Sequence, residues 1–295
     1  MGKRLVLCNL KGGLGNQMFQ YAAARGTFKE QSISFDHTFL NKYNKNNEIF
    51  TARKFELGIF KNLRTEKINN LFLTSIISKN LLLRILKRIF HLNVRVISDF
   101  DKCDQNCSSY NNERFIYMDG YFQSEQYFKH IRNELLEEFN FPKLPESVTP
   151  LMLKIISFNN SVGIHVRRGD YLKSPNLSFH GILDIEFYTK AIKALEQKLS
   201  SLHYFVFSDD ISWCKDKLSC VSSNLTFVST SEAAWVDMCL MSKCSHQIIA
   251  NSSFSWWAAW LNKSKKKTVI APKNWFVNPP SPIFSNLIPS DWTII

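Results

Sequence analysis

The chain has 295 residues, 45% of them hydrophobic and 21% charged, with a formal net charge of +12. This is a globular composition with room for two domains, and no apolar run reaches the roughly 18 residues of a membrane span. The positive charge implies acidic partners such as phosphates or anionic lipid, but it is mostly scattered lysine and marks no nucleic-acid groove.

Arg4 to Leu10 reads as a buried strand rather than a signal peptide, because the apolar run stops at Lys11 without a small-residue cleavage site. A glycine-rich turn, Lys11-Gly-Gly-Leu-Gly15, then opens a helix through Ala24, and Ser32 to Phe35 is the next strand. Lys67 to Leu92 reads as an amphipathic helix with Arg84, Lys87, Arg88, His91 and Arg95 on one face. It suits either an anionic membrane surface or ordinary packing with a solvated basic side. Phe115 to Met118 is a strand, and Ser124 is the expected N-cap of a helix ending near Phe139. Three prolines between Phe141 and Pro150 mark the linker.

Beyond the linker, strands at 161–167, 203–208, 225–228, 246–250 and 268–271 alternate with helices at 185–199, 211–218, 232–243 and 253–262. Such alternation implies a parallel sheet covered on both faces. The expected architecture is therefore α/β with two Rossmann-like domains facing across a cleft. Residues 1–145 form one domain and 146–295 the other, with a C-terminal tail packing back over the first. Seven dispersed cysteines form no CxxC pair, which argues against a zinc site or disulfide framework and for reduced thiols in a cytosol. The 24 phenylalanines and seven tryptophans point to an aromatic interior or to sugar-stacking surfaces.

Three strands of the second domain end in polar residues, at the carboxyl edge where α/β sheets bind ligands. The first end carries His165, Arg167, Arg168 and Asp170, and the second Asp209 and Asp210. The third carries Ser252, Ser253, Phe254 and Ser255 at a helix start. Arginines suit phosphate oxygens. A carboxylate such as Asp209 can accept both N–H groups of a guanine edge, and hydroxyls with free helix-start amides suit an anion. Each feature alone reads equally as an ion pair or a cap; together they point to a phosphate-bearing ligand. The glycine loop is neither a P-loop nor a complete dinucleotide fingerprint, yet it brings amides, Asn16 and Gln17 to a helix start. Asp99 and Asp101 form an Asp-x-Asp of the kind that can hold a divalent ion. If the arginines and a helix terminus already stabilise a diphosphate, a metal is dispensable.

Taken together, Gly12-Gly-Leu-Gly-Asn-Gln-Met-Phe-Gln-Tyr21, Gly120-Tyr-Phe-Gln-Ser124, His165-Val-Arg-Arg-Gly-Asp-Tyr171, Phe207-Ser-Asp-Asp210 and Asn251-Ser-Ser-Phe-Ser-Trp-Trp257 resemble the α-1,2-fucosyltransferases, most closely their bacterial soluble branch. The resemblance implies a GT-B fold and inverting transfer of L-fucose from GDP-β-L-fucose to the 2-hydroxyl of a terminal galactoside. The acceptor is an oligosaccharide or lipid-linked glycan, no metal or other cofactor is required, and the setting is cytoplasmic, with a possible peripheral membrane contact. By the resemblance, Arg167 binds the β-phosphate and Arg168 supports the loop. His165 and Asp209 face the guanine, Ser252 to Ser255 contact phosphates or ribose, and Gly15 and Asn16 approach the donor from the other domain, the acceptor side, whose loops between about residues 36 and 115 supply the acceptor contacts. Asp170 is either a base or a brace for Arg168. The competing readings are a different donor or linkage on the same fold, or a non-enzymatic basic protein binding nucleic acid or membrane.

Overall fold

The computed structural model describes residues 4–46, 51–68, 94–99, 113–172, 174–277 and 286–295. It divides into two compact units. One comprises Met1–Asn46, Ala52–Asn140 and Ile283–Leu287, and the other Asn47–Thr51, Phe141–Pro282 and Ile288–Ile295.

The first unit is built from β1 (Leu5–Asn9), α1 (Leu14–Thr27), β2 (Ser32–Asp36), α2 (Thr38–Lys42), β3 (Val94–Ile97), β4 (Phe115–Met118) and α3 (Arg132–Glu138). Its four strands pair in parallel in the order β2-β1-β4-β3. The central strand β1 is buried on both faces, which explains its nearly continuous apolar run. Gly12 turns the chain from β1 into α1 with φ at +73°, a conformation open to glycine without steric cost.

Most of the expected basic helix lies outside the described residues. Arg95 does not: it sits exposed in β3, opposite Ile116 of β4. The β-branched alternation of Val94-Arg-Val-Ile favours a strand there. Ser124 also departs from expectation. Its hydroxyl accepts from the Gln126 amide and caps only the single 3-10 turn Glu125–Tyr127. Phe128, at φ −141°, interrupts the chain, so the helix proper begins at Arg132. The Ser124 hydroxyl donates in turn to the carbonyl of Asn286 in the C-terminal segment.

The second unit contains α4 (Thr149–Ser157), β5 (Asn160–Val166), α5 (Ser174–His180), α6 (Ile185–Glu196), β6 (Leu202–Ser208), α7 (Ile211–Leu218), β7 (Leu225–Val228), α8 (Ala234–Ser242), β8 (His246–Ile248), α9 (Ser253–Leu261), β9 (Val269–Ala271) and β10 (Thr293–Ile294). All six strands are parallel, in the order β10-β9-β8-β5-β6-β7. One face of β5 feeds Val162, Ile164 and Val166 into a core with Tyr188, Ile192 and Leu195 of α6. The tryptophans of α9, Trp256, Trp257 and Trp260, are fully buried, so these rings fill an interior and are not sugar-stacking surfaces. Among the described residues, no helix is long and apolar enough to cross a membrane.

Candidate active site at the carboxyl edge of the second sheet

Strands β8, β5, β6 and β7 are neighbours, so their carboxyl ends form one continuous edge. At the tip of β5, the Arg167 guanidinium bonds two carboxylates, Asp170 at 2.5 Å and Asp209 at 2.9 Å. It also lies 5.5 Å from the Tyr171 ring centroid. Arg168 turns the other way: its Nε reaches Asp210 at 3.2 Å and its guanidinium stacks 4.3 Å from the Trp213 centroid. The two arginines thus have different surroundings, and the ion pairs differ from those expected. Asp170 braces Arg167, not Arg168, because the three-residue turn brings its carboxylate under the first guanidinium.

Asp209 is committed as well. One oxygen takes Arg167 and the other accepts the Arg168 amide at 2.9 Å. The contact depends on Gly169, where a Cβ would stand 2.7 Å from the Asp209 carboxylate oxygen. Asp210 accepts from the Trp213 amide and so caps α7 while holding Arg168.

His165 is only 4% exposed, since β5 is covered on both faces, and its ring lies 5.0 Å from that of Phe254. Burial, followed by the nearby Arg167 charge, pushes its pKa down to about 3, so the imidazole is neutral. It forms a wall under the start of α9 and is not open to a base as expected. Ser252 caps α9 by accepting from the Phe254 amide, and Ser253 and Phe254 are partly exposed at that helix start. Ser255 is a correction: its hydroxyl is fully buried and donates to the carbonyls of Ala250 and Ser252. Two residues on from Ser253, it lies about 200° around the helix, away from the open face.

Gly15 and Asn16 belong to the first unit. Gly15 is buried, and Asn16 accepts from the Gln123 amide at 2.8 Å. Gln17 does not present its amide outward. It donates to the carbonyls of Gly12 and Lys54 and accepts from the Glu56 amide. The Glu56 carboxylate in turn accepts the Leu14 amide, so a side chain of this protein already occupies part of the anion position at the start of α1. Asp99 accepts the amides of Tyr121 and Phe122 and braces that turn, while Asp101 lies outside the described residues.

The structure adds residues that the sequence did not single out. Tyr171 stacks on His180 at 4.6 Å and donates to the carbonyl of Asn251, whose own amide donates to the carbonyls of His180 and Trp275. Burial, partly opposed by Asp170, lowers the His180 pKa to about 4. Beyond β7, Thr230 donates to Asp237 in the first turn of α8 at 2.7 Å. Burial raises the Asp237 pKa, partly opposed by the Thr230 bond.

Two parallel α/β units, one ending in this charged edge, are the architecture of a GT-B glycosyltransferase. The chain belongs to glycosyl transferase family 11, whose family model matches residues 3–292. It is 34% identical over 292 residues to the O-antigen biosynthesis glycosyltransferase WbnK of Escherichia coli, covering 90% of this chain and 93% of that one. An α-1,2-colitosyltransferase of Escherichia coli is also 34% identical, with 92% of each chain covered. The mouse galactoside 2-α-L-fucosyltransferase Sec1 matches at 28% over 155 residues, half of this chain and 42% of that one. Similarity to solved structures is lower: the fucosyltransferase NodZ from Bradyrhizobium gives a TM-score of 0.48 at 14% identity, covering 88% of this chain and 92% of its own.

Proposed function

We propose that this glycosyltransferase moves L-fucose, with inversion, from GDP-β-L-fucose to the 2-hydroxyl of a terminal β-galactoside in a surface glycan. One observation carries the reading: Arg167 is held by two carboxylates at the carboxyl edge of a parallel sheet in a chain of family 11. Breaking the fucosyl C1–O bond puts negative charge on GDP and positive charge on the sugar. A guanidinium has five N–H donors, so Asp170 and Asp209 can fix its plane while other donors face the leaving phosphate. The two arginines and three aspartates of the edge sum to −1, so the diphosphate also needs the amides at the start of α9. In this scheme Asp170 is a brace. The acceptor proton leaves late, to water or to the departing phosphate.

The guanine is assigned to Asp237, in the first turn of α8 beyond β7, whose carboxylate accepts from Thr230 and keeps lone pairs for the N–H groups of a base. Asp237→Asn is expected to reduce the preference for GDP over IDP, which lacks the 2-amino group, about tenfold or more. Calorimetric titration of both nucleotides checks it, and an unchanged preference returns the base to another residue.

The 34% identity to a colitosyltransferase supports a second reading, in which the donor carries colitose, the 3-deoxy counterpart of fucose. A panel of GDP-sugars with lactose, run in excess EDTA and analysed by product mass and linkage, separates the two. The proposal expects a fucosyl α-1,2 product without added metal. Another sugar or linkage, or activity that needs a divalent ion, overturns it.

A further inference from the structure

The amino end of the second sheet, opposite the edge that carries the arginines, has a different surface. A parallel sheet sends each helix back to the end where the next strand begins, so α8 and α9 both finish here, at the starts of β8 and β9. Asn262, just after α9, ties the two ends together. Its side-chain amide donates to the Cys244 carbonyl at 2.9 Å and to the Gln247 side-chain oxygen at 3.1 Å. Lys243 precedes Cys244 and Lys263 follows Asn262, so two lysines flank one bonded pair. The turn that follows, Lys263-Ser-Lys-Lys-Lys267, is held by its own bonds. The Asn262 Oδ1 accepts the Ser264 amide at 2.8 Å, the Ser264 hydroxyl accepts the Lys266 amide at 3.3 Å, and the Thr268 amide donates to His246 Nδ1 at 3.0 Å.

Cations are favoured at helix C-termini, and Lys267 serves that purpose: its ammonium donates to the carbonyls of Ala259 and Asn262 at 2.8 and 3.0 Å. Helix capping does not account for Lys243, Lys263, Lys265 and Lys266. All four are exposed, and among the described residues none of them pairs with a carboxylate. The sequence has no acidic residue between Asp237 and Asp291, a stretch that holds six lysines. Apolar groups stand open nearby. The turn from α4 into β5 reaches this same end, where the Asn159 carbonyl accepts from the Ser245 hydroxyl at 2.9 Å, two residues from Lys243. On α4, Leu153 and Ile156 lie one turn apart at 54% and 56% exposure, while Ile155 between them is buried. An outward helix face is ordinarily polar. Lysines beside open aliphatic side chains, with no carboxylate to repel an anion, match a surface that is anionic outside and apolar within. A phospholipid bilayer has that form. A nucleic acid would need aromatic rings among the cations, and the open apolar groups here are aliphatic.

We propose that the amino end of the second unit docks on an anionic phospholipid bilayer, with Lys243, Lys263, Lys265 and Lys266 on the headgroups and Leu153 and Ile156 at the acyl boundary. The docking surface is separate from the donor site, which lies at the other end of the seven-residue β5, about 20 Å away. It is tested by floating the whole protein with vesicles of phosphatidylcholine alone and of phosphatidylcholine with phosphatidylglycerol. Wild type is expected to float with the anionic vesicles and not with the neutral ones, and to be released as salt rises. Lys263→Glu, Lys265→Glu and Lys266→Glu combined are expected to lower partitioning about tenfold or more. Leu153→Ser with Ile156→Ser is expected to lower it several-fold, and both variants should melt within about 2 °C of wild type. The two sets of side chains are exposed on different elements, so either one tests the surface if the other variant unfolds. A wild type that stays in solution with both vesicles or floats equally with both, or a charge-reversed variant that floats as wild type does, overturns the proposal. So does a wild type that binds an RNA oligonucleotide but no vesicle, which makes nucleic acid the occupant.

Discussion

Arg167→Ala is expected to slow transfer by about 10²–10³-fold at saturating donor, the usual loss when one preorganised donor to a developing negative charge is removed. The argument rests on how the guanidinium is held. Asp170 and Asp209 bind it from two sides, at 2.5 and 2.9 Å, so its plane is set before any diphosphate arrives. A group already oriented costs no reorganisation when charge develops. Arg167→Lys is expected to fall in between, because one ammonium cannot bond both aspartates and still present a flat fork to phosphate. Arg168→Ala behaves differently. Its guanidinium is spent on Asp210 and on the Trp213 face, so its removal mainly lowers the melting temperature. Initial rates, GDP titration and thermal melts on the three variants separate these outcomes. An Arg167→Ala protein that turns over at the wild-type rate would sink the assignment of Arg167 to the leaving phosphate.

Most of the second sheet was readable from the sequence because β5, β8 and β9 are buried on both faces and β6 nearly so. Buried parallel strands appear as short apolar runs between helices, and β6 and β7 lie within a residue of where that pattern puts them. The arginines at the end of β5 were readable for the same reason, since a strand that stops in charge must stop at an edge. Which carboxylate meets which arginine was not. Asp209 and Asp210 lie some 40 residues from the arginines, and their assignment depends on the turn after each strand. Direction was equally hidden. Ser253 and Ser255 look interchangeable in sequence, yet two steps around a helix turn one outward and bury the other. Asp237 lies inside an apolar helical stretch and has no local signal beyond being the one carboxylate there. The closure of the glycine loop by Glu56 joins segments about 40 residues apart that share no motif.

Glu138→Ala is expected to give the largest loss of stability. Its carboxylate, 3% exposed, accepts from the Tyr21 hydroxyl at 2.6 Å and from Nε and Nη2 of Arg25, which is itself 1% exposed. Arg25 also donates to the Lys29 carbonyl, and the Tyr21 hydroxyl accepts the Arg64 amide. The group joins α1 to α3, so it fixes the helix whose first turn is the glycine loop. Burying such a pair is not itself a strong source of stability, because desolvation offsets much of the attraction. Breaking it is another matter. Alanine leaves a guanidinium in the interior with no anion, at about 3–5 kcal/mol. For a unit of this size that corresponds to a fall of roughly 10 °C in melting temperature. Glu138→Gln keeps an acceptor for Tyr21 and loses the charge, so it should fall between. The double variant Arg25→Met with Glu138→Leu removes both charges and should recover much of the loss. Thermal melts of the four proteins decide it: if the alanine variant melts within about 2 °C of wild type, the buried pair does not hold α1 to α3.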